Sequence, residues 1–223
     1  MAVVQKQFTI DLAGQVQSGT MVSLDFDALP GSNPKALGYF IAIWQGSQIQ
    51  ALENALTKQD IETGTQAGST TFENLALADL DYIIGFGVDS DSGTSICATL
   101  NIPKGSPRFT PLETNLSTLE LQYSSSNSLI ATFVTPPYNL AATNNNWVAL
   151  FKGQLTANMY KGLNVITTTM VEDNTNEGAV AMNKIPDGLV RFQKYTLVYG
   201  MGLDKSGKPN YSNLVSAAEF TVS

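Results

Sequence analysis

The acidic run Asp89-Ser90-Asp91-Ser92-Gly93 has the spacing of the first half of a calcium-binding loop. Calcium takes roughly six to eight oxygen ligands, and the helix-flanked loop that uses this spacing adds a glutamate at its twelfth position. That position is Leu100 here, and the flanking residues read as strands. The run is therefore either a hairpin turn between the last two strands of the first half, or an edge site for calcium. In the second reading Asp89 and Asp91 are the ligands, helped by Asp79 or Asp81. No other cofactor is implied.

Glu62 and Glu172 recur at matching places in the two halves. Glycoside hydrolysis needs two carboxylates within roughly 5–10 Å across one sugar, and these two meet only if the halves pack about a twofold axis. Capping or surface solvation is the simpler reading. Gly85-Phe86-Gly87 and Gly200-Met201-Gly202 each contain G-x-G. A phosphate loop needs that motif between a strand and a helix, whereas here it ends a strand. The expectation is a bulge, or a large side chain passing close. With no histidine, the common general base and the Ser–His and Cys–His nucleophile systems are gone. Cys97, the only cysteine, reads as a small apolar strand residue. The chain is read as a non-enzyme.

Binding material is easier to find. Sugars are held by stacking on Trp or Tyr, with amides and carboxylates on the hydroxyls. The candidates are Trp44, Trp147, Tyr138, Tyr160 and Tyr211. Trp44 and Trp147 lie in runs that are apolar on both faces, so core packing competes with the binding reading. The second face of each run needs a cover: a short helix, the other half, or a partner subunit.

The composition narrows the partners. Charged residues are 14% of the 223, low for a globular protein, and the net charge is −7. Nucleic-acid binding needs a basic footprint, and the 12 Lys and Arg are scattered. The N-terminus lacks the basic head and apolar run of a secretory signal, and no stretch reaches the length of a membrane span. The expected protein is soluble, and either cytoplasmic or exported without a classical signal. The sequons at Asn115 and Asn210 carry little weight in that setting.

The second half of the sequence repeats the first. At one constant offset Phe26 matches Phe133, Pro30 matches Pro137, Ala42 matches Ala149 and Gly46 matches Gly153. At slightly longer offsets Glu62 matches Glu172 and Gly68 matches Gly178, then Gly85 matches Gly200 and Asp89 matches Asp204. Between the halves, 103–111 holds three prolines and a glycine, as a stiff linker does. The reading is a first domain over 1–106, a Pro-rich linker over 107–115 and a second domain over 116–223.

Strands are expected over 8–16, 21–29, 39–44, 70–77, 80–88 and 95–102. In the second half they are expected over 116–123, 129–134, 147–151, 165–171, 179–185, 195–203 and 214–222. A single helical signal appears after the third strand of each half, at 50–56 and 155–160. Short strands divided by Asn, Asp, Gly and Pro clusters make an antiparallel sandwich. Leu189 lies six positions before Tyr195, which opens the alternation Tyr195, Leu197, Tyr199. This resembles the tyrosine corner of immunoglobulin-like and fibronectin type III-like domains, as the aromatic third strands also do. Leu77 and Tyr82 are a looser version. The fold class is all-β: two tandem antiparallel β-sandwich, Ig-like domains arising from internal duplication, each with at most one short helix. The expected function is non-enzymatic binding of a carbohydrate, cell-surface or protein ligand. The alternative is a self-assembling or toxin-like protein, a homo-oligomer acting through protein–protein contacts.

Overall fold

The computed structural model describes residues 2–89 and 95–222. The first half contributes β1 (Ala2–Thr9), β2 (Asp11–Ser18), β3 (Met21–Asp27), β4 (Phe40–Gln45), β5 (Thr57–Asp60), β6 (Ala67–Phe72), β7 (Tyr82–Gly87) and β8 (Ile96–Ile102). The second contributes β9 (Glu113–Leu116), β10 (Thr118–Ser124), β11 (Ser128–Val134), β12 (Trp147–Lys152), β13 (Val165–Met170), β14 (Glu177–Asn183), β15 (Lys194–Gly200) and β16 (Leu214–Val222). Alternation sets the faces: in β3, Val22, Leu24 and Phe26 are buried while Met21, Asp25 and Asp27 are exposed. The central strands β4 and β12 are buried on both faces, as their unbroken apolar runs require.

Among the described residues all pairing is antiparallel, in four sheets ordered β2-β3-β6, β5-β4-β7-β8-β9, β10-β11-β14 and β13-β12-β15-β16-β1. The two halves share strand order and register. Phe40 faces Gly87 as Trp147 faces Gly200, and Phe26 faces Gly68 as Phe133 faces Gly178. The register makes Gly87, rather than Gly85, the counterpart of Gly200, so the G-x-G motifs do not superpose. At each true counterpart a methyl group would collide with the Phe40 ring or the Trp147 ring. The close approach of a large side chain is what these glycines permit.

The leading strands of the halves are exchanged. β1 does not join its own half; it pairs with β16, from Ala2 opposite Val222 to Thr9 opposite Ser216. Reciprocally, β9 pairs with β8, Leu116 facing Ala98. Each chain segment then crosses to its own half, as β2 or β10, at matched points. There Ile10 N–H donates to the Val215 carbonyl (3.2 Å) and Ser117 N–H to the Cys97 carbonyl (2.9 Å). The Thr9 hydroxyl donates to the Ser117 carbonyl, joining the two crossing points.

This arrangement changes the reading of the join. The span 107–115 includes the start of β9, and just before it Phe109 and Leu112 donate backbone N–H to Val16 and Gly14 of β2 (2.9 and 3.0 Å). A proline-rich stretch therefore lies docked on a sheet edge. Most buried residues of both halves form one contiguous cluster, and Phe40, Ala42, Trp44, Ile83 and Ile96 form a smaller one of their own. Between the halves, Tyr160 Oη donates to the Leu29 carbonyl (3.3 Å) and Asn139 Nδ2 to the Ile96 carbonyl (2.9 Å).

Helix is scarce. A four-residue helix, α1 (Pro34–Leu37), starts at Asn33, whose Oδ1 accepts the Ala36 N–H at 3.1 Å. The two expected helical segments each shrink to one 3-10 turn, Leu52–Asn54 and Met159–Lys161. Both candidate tyrosine corners close: Tyr195 Oη accepts Val190 N–H at 2.8 Å and Tyr82 Oη accepts Ala78 N–H at 2.7 Å. Removing either hydroxyl orphans a part-buried N–H, so Tyr82→Phe and Tyr195→Phe should each cost about 1 kcal/mol. Urea midpoints measured at unchanged slope check this. A variant as stable as the parent would show that the bond contributes nothing.

Candidate functional site

Three of the five aromatic candidates belong to the core. Trp44 and Trp147 are fully buried, with indole N–H groups donating to the Ala51 carbonyl (3.2 Å) and the Gly202 carbonyl (2.9 Å). Tyr160 is buried in the seam between the halves, close to Tyr39, and burial pushes both phenols well above the usual tyrosine range. None of these three rings has a face open to a sugar. The third strands are doubly apolar because the chain covers both of their faces itself. Ile49, Leu52 and Ala55 cover Phe40 and Trp44. Tyr211 covers the second half's strand, its ring edge-on at 5.2 Å from Trp147 and 5.8 Å from Phe151. Tyr211 is half-buried there and hydrogen-bonds Thr168 (3.0 Å). Only Tyr138, 49% exposed and held at φ 75°, stands free.

Asp91 lies outside the described residues. Asp89 is half-buried, and its carbonyl accepts the Ser95 hydroxyl at 3.1 Å. The proposed helpers are both engaged with Lys104: Asp81 Oδ1 accepts the Lys104 N–H (2.7 Å), and Asp79 pairs with the Lys104 ammonium (3.5 Å). Among the described residues no three metal-ligating side chains converge. Asp204 caps a turn. The Ser206 hydroxyl, then the Lys208 and Ser206 backbone N–H groups, hold its carboxyl below the usual range. Glu62 is exposed and paired with Lys35 at 2.7 Å, and Glu172 is exposed in the β13–β14 connection. Cys97 is buried beneath the Phe86 carbonyl, which leaves its thiol protonated, since burial raises its pKa.

A further surface lies away from the five aromatic candidates, on the outer faces of the three-stranded sheets. The three-stranded sheets present equivalent outer faces with opposite chemistry. On the first, Asp25 pairs with Ser69, Asp27 with Ala67 and Ser23 with Thr71. Hydrogen bonds hold that face: Ser69 to Asp25 (2.5 Å), Gln66 to Asp27 (2.7 Å) and Gln17 to Ser23 (2.6 Å). A shallow cleft of about 380 Å³ beside it is lined by Asp11, Gln15, Ser23, Asp25 and Thr114.

On the second sheet the same grid reads Thr132–Ala179, Val134–Glu177 and Ile130–Ala181, with Tyr123 opposite Ile130 on the other side. Tyr123 is 55% exposed, Val134 42% and Ile130 39%. Gln122, one residue along, bonds both Glu120 (3.2 Å) and Thr132 (3.0 Å). The sequence carried a signal for this face. Residues 128–134, Ser-Leu-Ile-Ala-Thr-Phe-Val, put apolar groups on both faces of a strand that has only one buried side.

Comparison with known protein families gives no match, and no curated protein matches the chain. Among the described residues no helix is long and apolar enough to cross a membrane.

Proposed function

We propose that this chain is a non-enzymatic binding protein that holds its ligand on the outer face of the β10-β11-β14 sheet. One observation carries the reading: where the outer face of the first half carries Ser23, Asp25 and Asp27, that of the second exposes Tyr123, Ile130 and Val134. A backbone grid kept constant while Asp25, Asp27 and Ser23 give way to Thr132, Val134 and Ile130 has its chemistry set by what it meets. Exposed apolar surface of this kind marks interaction sites.

The ligand class that fits best is a carbohydrate or a cell-surface glycan carrier. Tyr123 supplies an exposed ring for stacking, and Gln122 and Thr132 supply amide and hydroxyl partners near it. The tyrosine corners in both halves support an immunoglobulin-like or fibronectin type III-like origin, with the halves arising by duplication. The self-assembly alternative keeps its sheet edges but loses the third-strand faces, because both are covered from within the chain.

A thermal-shift panel with saturating sugars and polysaccharide fragments tests the reading. A ligand at a hundred times its dissociation constant stabilises by ~2.7 kcal/mol, a rise of a few degrees. The rise should vanish in Tyr123→Ala and survive in Tyr138→Ala. A shift lost in Tyr138→Ala instead moves the site elsewhere, and a panel with no shift sinks the carbohydrate reading.

A further inference from the structure

Every sheet in this protein ends on an edge strand, and the edges are not treated alike. An exposed edge offers unpaired N–H and C=O groups to any other strand, so folded proteins blunt it with bulges, charges or a cover. β1 has a register break between Val4 and Lys6, and β10 one between Leu121 and Tyr123. The pairing of β13 with β12 breaks where Val165 meets Phe151. β5 carries Lys58 and Asp60, and β9 is only four residues long. β2 is covered by the docked 109–112 segment.

Two edges carry neither bulge nor cover, and no charge beyond Glu177 at the start of β14. β6 (Ala-Gly-Ser-Thr-Thr-Phe) and β14 (Glu-Gly-Ala-Val-Ala-Met-Asn) run in unbroken register with their single neighbours. Beside β6 lie Asp25 and Asp27, so two β6 edges brought together would set two acidic faces against each other. Beside β14 lie Thr132, Ile130 and Val134, which are uncharged. The ends of β14 are also opposite in sign, with Glu177 at its start and Lys184 immediately after Asn183.

The geometry points to β14 as a dimerisation edge, pairing antiparallel with β14 of a second copy to join two three-stranded sheets into one. A twofold axis perpendicular to a sheet brings opposite one another only residues that point to the same face. The register centred on Val180 meets that condition and uses the whole strand. Ala179 then faces Ala181 of the second copy, Gly178 faces Met182, and Glu177 faces Asn183. Lys184 comes beside the second copy's Glu177 at both ends. Small alanines on the outer side allow close approach, and the sign change along the strand favours this antiparallel register over a parallel one. The inference stands apart from the ligand reading: it concerns the edge, and the ligand was placed on the face.

Sedimentation of the intact protein from micromolar to near-millimolar concentration tests it. The weight-average mass should climb from the 23.9 kDa of one chain toward twice that value. The double variant Ala179→Lys/Ala181→Lys sets lysines opposite lysines across the axis, at positions exposed in the single chain. It should stay at one chain mass throughout, with unchanged circular dichroism and melting temperature. Ala181→Thr, which adds no charge, should still dimerise. A parent chain that stays monomeric overturns the proposal and leaves the edge to a strand of some other protein. A dimer that persists in the double-lysine variant overturns it equally, by placing the contact elsewhere. Sugar binding lost in Tyr123→Ala with dimerisation intact separates the two readings.

Discussion

Gly200→Ala lowers the stability of this protein by about 3 kcal/mol, at the upper end of what overpacking a core costs. The single added carbon would fall on the six-membered ring of Trp147. That ring cannot yield, because its N–H is bonded to the Gly202 carbonyl at 2.9 Å and Tyr211 stands edge-on against it. Gly87→Ala meets the Phe40 ring in the same way and should cost a similar amount. Gly19→Ala is the control: its nearest neighbour is the Leu77 carbonyl at 3.8 Å, an ordinary contact, and it should stay within about 0.5 kcal/mol of the parent. Chemical denaturation of the three variants side by side decides the matter. If Gly200→Ala proves as mild as Gly19→Ala, the close packing of Trp147 on β15 is wrong.

Deleting residues 2–9 destabilises the second half of the protein, although those residues belong to the first half by sequence. β1 supplies one full ladder to β16, and net contributions of roughly 0.5–1.5 kcal/mol per hydrogen bond make the loss on the order of 5 kcal/mol. It also uncovers the edge of a strand carrying Ala217, Ala218 and Phe220, all fully buried in the intact chain. The two tryptophans provide the readout, since Trp44 lies in β4 and Trp147 in β12. In a Trp44→Phe background, fluorescence reports the sheet that β1 completes. There the deletion should shift the denaturation midpoint strongly downward. In a Trp147→Phe background the remaining signal comes from the sheet that β9 completes, and the shift should be smaller. The reverse order would mean that β1 stays with its own half and that no exchange occurs.

The central strands, the turn clusters between them and the near-absence of helix were open to reading from the sequence because each rests on local rules. Alternation places Val22, Leu24 and Phe26 on one face whatever else the chain does, and Asn, Gly and Pro clusters break strands within a few residues. Residues recur in order along the two halves of the sequence, and the two halves share strand order and register. Their finer alignment slipped at Gly85, where one matched motif mimicked the true counterpart at Gly87.

Other features were decided by tertiary contacts. β1 and β9 carry no mark naming their partners, and Ile10 and Ser117 become crossing points only once both halves are folded. The proline-rich join looked like a tether because proline cannot extend a central strand, yet Phe109 and Leu112 found acceptors on the edge of β2. Trp44, Trp147 and Tyr160 looked available because a sequence does not say which apolar face its own loops will cover. Ile130 and Val134 show the converse, side chains of the core type that stay 39% and 42% exposed because no described segment packs over them. Residue type and period determine which positions are apolar, and only the packing of distant segments determines which of those stay exposed.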